Sequence, residues 1–139
     1  MLNLNVIWVS NPSGTHVLMC KRHKEPYKGL YNLVGGKVEA GEGGLAAAYR
    51  ELAEETGIVD IELHHLMDFT YHKSAIRPRD GIGLEVYFGT LKRDQEVCGD
   101  EKELVWLDTS NENFFDYTRF AGEGNIGHIF EQIKINQNL

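Results

Sequence analysis

The chain has 139 residues, enough for one domain with a real core and too few for two ordinary ones. Hydrophobic residues make up 42% and charged residues 25%, with 15 Gly and 3 Pro, which excludes disorder and collagen. Fourteen Lys and Arg against 21 Asp and Glu leave a formal net charge of -7, a poor match for polymeric nucleic acid or an anionic membrane.

The run Leu4 to Val9 reads as a strand, and Ser10-Asn11-Pro12-Ser13-Gly14 is a dense turn signal. His16 to Arg22 follows as a second strand, so a hairpin is predicted. A charged stretch with Pro26 and Gly29 leads to a short strand at Leu30 to Val34, broken by Gly35-Gly36. From Leu45 to Thr56, Leu45, Ala48, Tyr49 and Leu52 fall on one helical face, and Gly57 is placed to stop the helix. Ile58 to Tyr71, Gly83 to Lys92 and Leu104 to Leu107 read as strands, with Pro78 and Gly81 in a basic loop between the first two. Ile126, Ile129, Phe130 and Ile133 predict a closing amphipathic helix. Apolar runs such as Val17 to Cys20 fall far short of the roughly 20 residues needed to cross a bilayer. The start Met1-Leu2-Asn3-Leu4-Asn5 has no basic segment before an apolar stretch, so no secretory leader is expected. Cys20 and Cys98 cannot form a disulfide framework and fit reduced thiols in a cytoplasm. These elements predict a mixed sheet packed by helices.

On a helical wheel, Glu51, Glu54 and Glu55 share an arc of about 100° away from the apolar face. Like charges at this spacing destabilise an isolated helix, and a divalent cation reverses that sign. Oxygen-only ligands suit Mg²⁺ or Mn²⁺ better than zinc. Arg50, four residues before Glu54, is placed to pair with it. A solvated glutamate face is the ordinary explanation for a Glu-Glu pair alone.

The pair does not stand alone. Reading from Gly36, five residues lead to Glu42, seven more to Arg50-Glu51-Leu52, one to Glu54-Glu55, and one to Gly57-Ile58. Such a pattern arises by chance on the order of once in ten million tries at background frequencies. It resembles the signature of the Nudix hydrolases, here at residues 36–58. The resemblance implies a single domain over residues 1–139 with that family's α/β/α sandwich and loop-helix-loop. It also implies hydrolysis of a diphosphate linkage inside a nucleoside diphosphate derivative, with Mg²⁺ or, as a substitute, Mn²⁺.

Carried over by position, the metal ligands are Glu51, Glu54 and Glu55, with the Gly35 carbonyl as a further one. Arg50 joins Glu51 and Glu54 in the catalytic set, while Gly36, Glu42 and Gly57 shape the motif. Glu54 is the preferred general base; the late acidic residues Asp100, Glu101 and Glu103 are the alternative. Lys37 and Arg22 are expected to meet the phosphates, and Lys73, Arg77 and Arg79 form a basic loop. The histidines show no metal-ligand spacing.

Gly29 to Glu39 is similar to the Trp-Asn-x-x-Gly-Gly-Lys run of Nudix enzymes that remove oxidised purine nucleotides, with Asn32 at the base-reading position and Tyr31 in place of Trp. An amide presents donor and acceptor side by side, the pattern needed to read a purine edge. Gly122-Glu123-Gly124-Asn125 resembles the MutT-type enzymes, where an Asn binds the base; Asn125 fits that role or a helix N-cap equally well. Phe69, Tyr71 and Phe114 are candidate aromatic walls. The favoured substrate is an oxidised purine triphosphate such as 8-oxo-dGTP, cut to monophosphate and pyrophosphate. ADP-ribose or a dinucleoside polyphosphate is the alternative, although Pro78 and Tyr71 fit poorly the Pro or Tyr those subfamilies carry beyond the motif. A non-catalytic nucleotide sensor is a third reading, and a homodimer through sheet edges is an option the family leaves open.

Overall fold

The computed structural model describes residues 1–74, 77, 79–99 and 103–137. In chain order the elements are β1 (Leu2–Ser10), β2 (His16–Lys21), β3 (Tyr31–Leu33), α1 (Gly44–Thr56), β4 (His64–Tyr71), β5 (Ile82–Thr90), β6 (Glu103–Asp108) and α2 (Asn125–Gln137). Among the described residues, no helix is long and apolar enough to cross a membrane.

β1 forms the centre of the sheet. It runs parallel to β5 from Leu2↔Ile82 to Ser10↔Thr90, and β5 pairs antiparallel with β4. Parallel pairing needs cover on both faces, and β1 is buried on both. Val6 and Trp8 join Ile126, Ile129 and Ile133 of α2 in one cluster. Ile7 and Val9 join Ala48 and Leu52 of α1 in the other. Helices therefore cover opposite faces of a mixed sheet, the three-layer arrangement expected.

The predicted hairpin departs from expectation. β1 and β2 pair only at their turn, through Ser10↔Val17. Beyond it, β2 takes partners from elsewhere: β6 from His16↔Asp108 to Lys21↔Glu103, and β3 at Met19↔Leu33 to Lys21↔Tyr31. The chain after β3 then crosses to β1 through Ile7↔Val34 and Leu4↔Lys37. Residues 31–37 thus form a wedge between two strands that local sequence alone would have zipped together.

The strand predicted from Ile58 begins only at His64. Ile58, Ile61 and Leu63 are buried against α1, but the backbone finds other partners: the Leu63 amide donates to the Tyr49 hydroxyl at 2.9 Å. α1 itself ends as predicted. Gly57 takes φ 80° and donates its N–H to the Ala53 carbonyl at 2.9 Å, while the Thr56 hydroxyl donates to the Leu52 carbonyl at 2.7 Å.

Candidate active site

Arg50 is the hub of the motif. Its Nε and Nη2 donate to the two Glu42 carboxylate oxygens at 2.7 and 2.9 Å. Nη1 reaches Glu51 Oε1 at 3.0 Å and Glu54 Oε2 at 3.2 Å, and Nη2 also donates to the Lys37 carbonyl at 2.9 Å. One planar fork therefore ties the loop before α1 to two carboxylates on it. The Arg50 hydrogen bonds, helped by the Glu39 amide, hold the Glu42 carboxyl down at about 2. The same bond to Glu42 raises the Arg50 guanidinium above its usual value.

The two glycines before the motif are dictated by close approach. A Cβ on Gly36 would collide with the Glu51 carboxylate, and one on Gly35, whose φ is 154°, with the Asn5 carbonyl. The Gly35 amide donates to Glu55 Oε2 at 3.2 Å. Glu51 is sheltered, with its side chain 12% exposed, and Glu54 projects outward at 60%. Glu51 and Glu55 thus flank the Gly35–Gly36 peptide, and Glu54 lies one step outside it.

Asn5 is a contributor that sequence reasoning missed. Its backbone N–H donates to the Gly36 carbonyl at 2.8 Å, and its Oδ1 accepts from the Gly36 amide at 3.0 Å. Asn5 is only 2% exposed, and its Nδ2 has no hydrogen-bond partner. The signal available was a single amide inside an otherwise apolar run.

A cavity of about 770 Å³ opens where β1 and β2 part. Gly35, Gly36 and Glu55 line it on the α1 side, and Tyr71, Asn125 and Ile126 on the α2 side. Arg22, Asn32 and Lys73 also line it. Asn32 Oδ1 accepts from the Leu33 amide at 2.8 Å. Asn125 opens α2, but its amide does not cap the helix: Nδ2 donates to the Tyr71 hydroxyl at 3.2 Å, and Oδ1 is buried without a partner.

Other candidates fall elsewhere. Lys37 is exposed and does not line the cavity; its carbonyl, not its ammonium, is engaged. Phe114 is core, 2% exposed and edge-on to Trp8, so it forms no ligand wall. Phe69 packs beside Tyr71 at 6.4 Å between ring centroids without lining the cavity. Arg77 is taken up by Asp80 at 2.6 Å. Glu103 starts β6 opposite Lys21, away from the cavity. Asp100, Glu101 and Pro78 lie outside the described residues.

Among the described residues no three His, Cys, Asp or Glu side chains converge into a ready-made cation cage. The oxygen-only donors around Gly35–Gly36 nevertheless suit a hard divalent ion, because that corner has no side chain of its own and two carboxylates beside it.

The family model for the NUDIX domain matches residues 2–122. The ADP-ribose pyrophosphatase of Methanocaldococcus jannaschii is 46% identical over 96 residues, 68% of this chain. The chain spans 56% of that relative's length. Among solved structures, the NUDIX domain of Shewanella oneidensis NrtR complexed with ADP ribose aligns at a TM-score of 0.76 and 17% identity, covering 99% of this chain and 88% of that one. The E. coli dihydroneopterin triphosphate pyrophosphohydrolase aligns at 0.77 and 20% identity, covering 96% and 95%. A structure of MutT from work on Aliivibrio salmonicida and Vibrio cholerae aligns at 0.70 and 22% identity, covering 96% and 97%.

Proposed function

Because the chain belongs to the Nudix family, matched across residues 2–122, we propose that it hydrolyses the diphosphate linkage of a purine nucleoside diphosphate derivative with a divalent cation. The observation that carries this reading is the cavity, which joins Glu55 and the Gly35–Gly36 corner to Asn32 and Asn125. Among the described residues, the two buried side-chain polar atoms without partners, Asn5 Nδ2 and Asn125 Oδ1, both belong to residues that line it. Unpaired buried polar atoms are costly, and a polar ligand is a natural source of the missing partners.

Glu51 and Glu55, with Glu54 beside them, would hold the cation. Bound there, Mg²⁺ or Mn²⁺ would neutralise the phosphates and acidify an attacking water. The chain's own groups supply the rest. Arg22 and Lys73 bring positive charge to the cavity. Arg50 fixes Glu54 through Oε2, leaving Oε1 to take the proton as the water oxygen bonds to phosphorus and the bridging P–O bond breaks. Asn32 and Asn125 offer amides to the base.

For the substrate, ADP-ribose ranks ahead of 8-oxo-dGTP. The relative that carries the ADP-ribose pyrophosphatase name is 46% identical over its matched region. The MutT neighbour, at 22%, speaks for the fold alone. The test is a nucleotide panel with Mg²⁺ or Mn²⁺, following AMP, pyrophosphate and orthophosphate for the wild type and Glu54→Gln. Turnover of ADP-ribose that collapses in the variant supports the reading. No turnover of any nucleotide, or a rate untouched by the substitution, overturns it in favour of a nucleotide sensor.

A further inference from the structure

Two non-glycine residues take positive φ among those described, Tyr27 at 67° and Glu123 at 53°, and they touch each other. The Tyr27 hydroxyl donates to Glu123 Oε1 at 2.7 Å and faces Oε2 at 2.9 Å, across 96 positions of sequence. Both line the cavity. Left-handed backbone at a tyrosine and a glutamate is strained and persists only where surrounding structure holds it, which is typical of ligand clamps. Gly122 and Gly124, with φ 88° and 92°, flank Glu123, and a Cβ on Gly122 would collide with the Asn125 amide. The loop is therefore shaped to present Glu123 and Asn125 together.

Arg22 lies near Tyr27, held by the Pro26 carbonyl at 2.7 Å, while Glu123 and Asn125 present acceptors. Glu123 makes no ion pair among the described residues, and a carboxylate offers about four acceptor sites, of which one hydroxyl proton satisfies one. Asn125 Oδ1, two residues on, is a further acceptor without a partner. Burial and the Glu123 hydrogen bond push the Tyr27 hydroxyl far above its usual range, so it remains a donor to the carboxylate. An uncompensated carboxylate repels phosphate and attracts hydrogen-bond donors.

We propose that Tyr27 and Glu123 form a specificity clamp in which Tyr27 positions the Glu123 carboxylate to accept from two adjacent donors on the ligand's nucleoside. Two groups have that chemistry: the N1–H and 2-amino edge of a guanine-type base, and the cis-diol of a ribose. This deepens the nucleotide reading above and rests on it. Monophosphates carry no diphosphate to cleave, so their binding is read independently of hydrolysis.

The experiment titrates GMP, IMP, AMP and dAMP calorimetrically into the wild type, Glu123→Gln and Tyr27→Phe, with thermal melts to verify folding. GMP against IMP tests the 2-amino group, and AMP against dAMP the 2′-hydroxyl. In the wild type one ratio is expected at about 10- to 100-fold, the worth of a hydrogen bond to a charged group. It should collapse in Glu123→Gln and shrink partway in Tyr27→Phe. The proposal is overturned if wild type binds these nucleotides with both ratios near unity, or if the larger ratio survives in Glu123→Gln. An undiminished ratio in Tyr27→Phe overturns the positioning role. Failure to bind any of the four overturns the clamp, while the hydrolytic reading stands or falls on the turnover panel. Binding without selectivity overturns the clamp alone.

Discussion

Arg50 and Glu42 meet in a two-pronged pair, Nε to Oε2 at 2.7 Å and Nη2 to Oε1 at 2.9 Å, while the remaining nitrogen of the same fork spans Glu51 and Glu54. Lysine can reproduce the charge of this hub but not the fork. Arg50→Lys is therefore expected to lower kcat/KM by about 10- to 100-fold, as loss of a group that orients metal ligands does. Steady-state kinetics on whichever substrate the panel identifies would check it, and full activity would remove Arg50 from its assigned role.

The same pair has a pH signature. Glu42 is held at about 2 in the fold against an ordinary 4.5, first by the Arg50 hydrogen bond and then by the Glu39 amide. A depressed folded value contributes stability that is fully present above 4.5 and lost as pH falls toward 2. Acid titration of the melting temperature should consequently show a shallower decline for Glu42→Gln than for the wild type across that window. Parallel curves would contradict the assignment.

Gly35 and Gly36 predict opposite failures. Gly36→Ala drives a methyl into the Glu51 carboxylate, a side chain that can yield, so activity should drop by about 100-fold as reacting groups are displaced while the melting temperature changes little. Gly35→Ala meets the Asn5 backbone at a left-handed φ, so the fold itself should lose on the order of 1–3 kcal/mol. Denaturant titration of both variants beside their kinetics separates the two. Equal destabilisation would refute the distinction.

Asn5 provides a polarity test. Asn5→Leu strands the Gly36 amide and should cost about 1–3 kcal/mol. Asn5→Asp keeps an acceptor for that amide, so it should be the milder change in a denaturant titration. If leucine is tolerated as well as aspartate, the Gly36 contact is not what maintains this corner.

Cation removal should abolish hydrolysis, and Glu55→Gln should weaken Mg²⁺ binding by about 10-fold or more, within the range for losing one anionic ligand of a hard cation. Calorimetric Mg²⁺ titration reads this without substrate. An unchanged affinity would take Glu55 out of the ligand set.

What could be read in advance follows physical range. The α1 carboxylates and the Gly57 stop were legible because helical periodicity and fixed spacing are local properties. The parting of β1 and β2 was not, because β2 prefers β6, some ninety positions away, and a strand's partner cannot be inferred from its own alternation. The placing of the Lys37 side chain was not legible for a related reason: adjacency to Gly36 fixes where its backbone lies, whereas the side chain is exposed and does not line the cavity. Tyr27 and Glu123 carry no local signature, since each acquires meaning only through the other. Asn32 and Asn125 were singled out through resemblance, and both line the cavity with Arg22.

The single rung between β1 and β2 has a thermodynamic consequence. Along the rest of their length the two strands share no ladder, and the cavity occupies part of that seam. A ligand seated there touches both sides of the sheet and belongs only to the folded chain. Occupancy at 100 times Kd would then add about 2.7 kcal/mol to stability by mass action alone. Thermal shift thus becomes a way to search for the substrate before any turnover is measured, because the molecule that best stitches the seam should raise the melting temperature most.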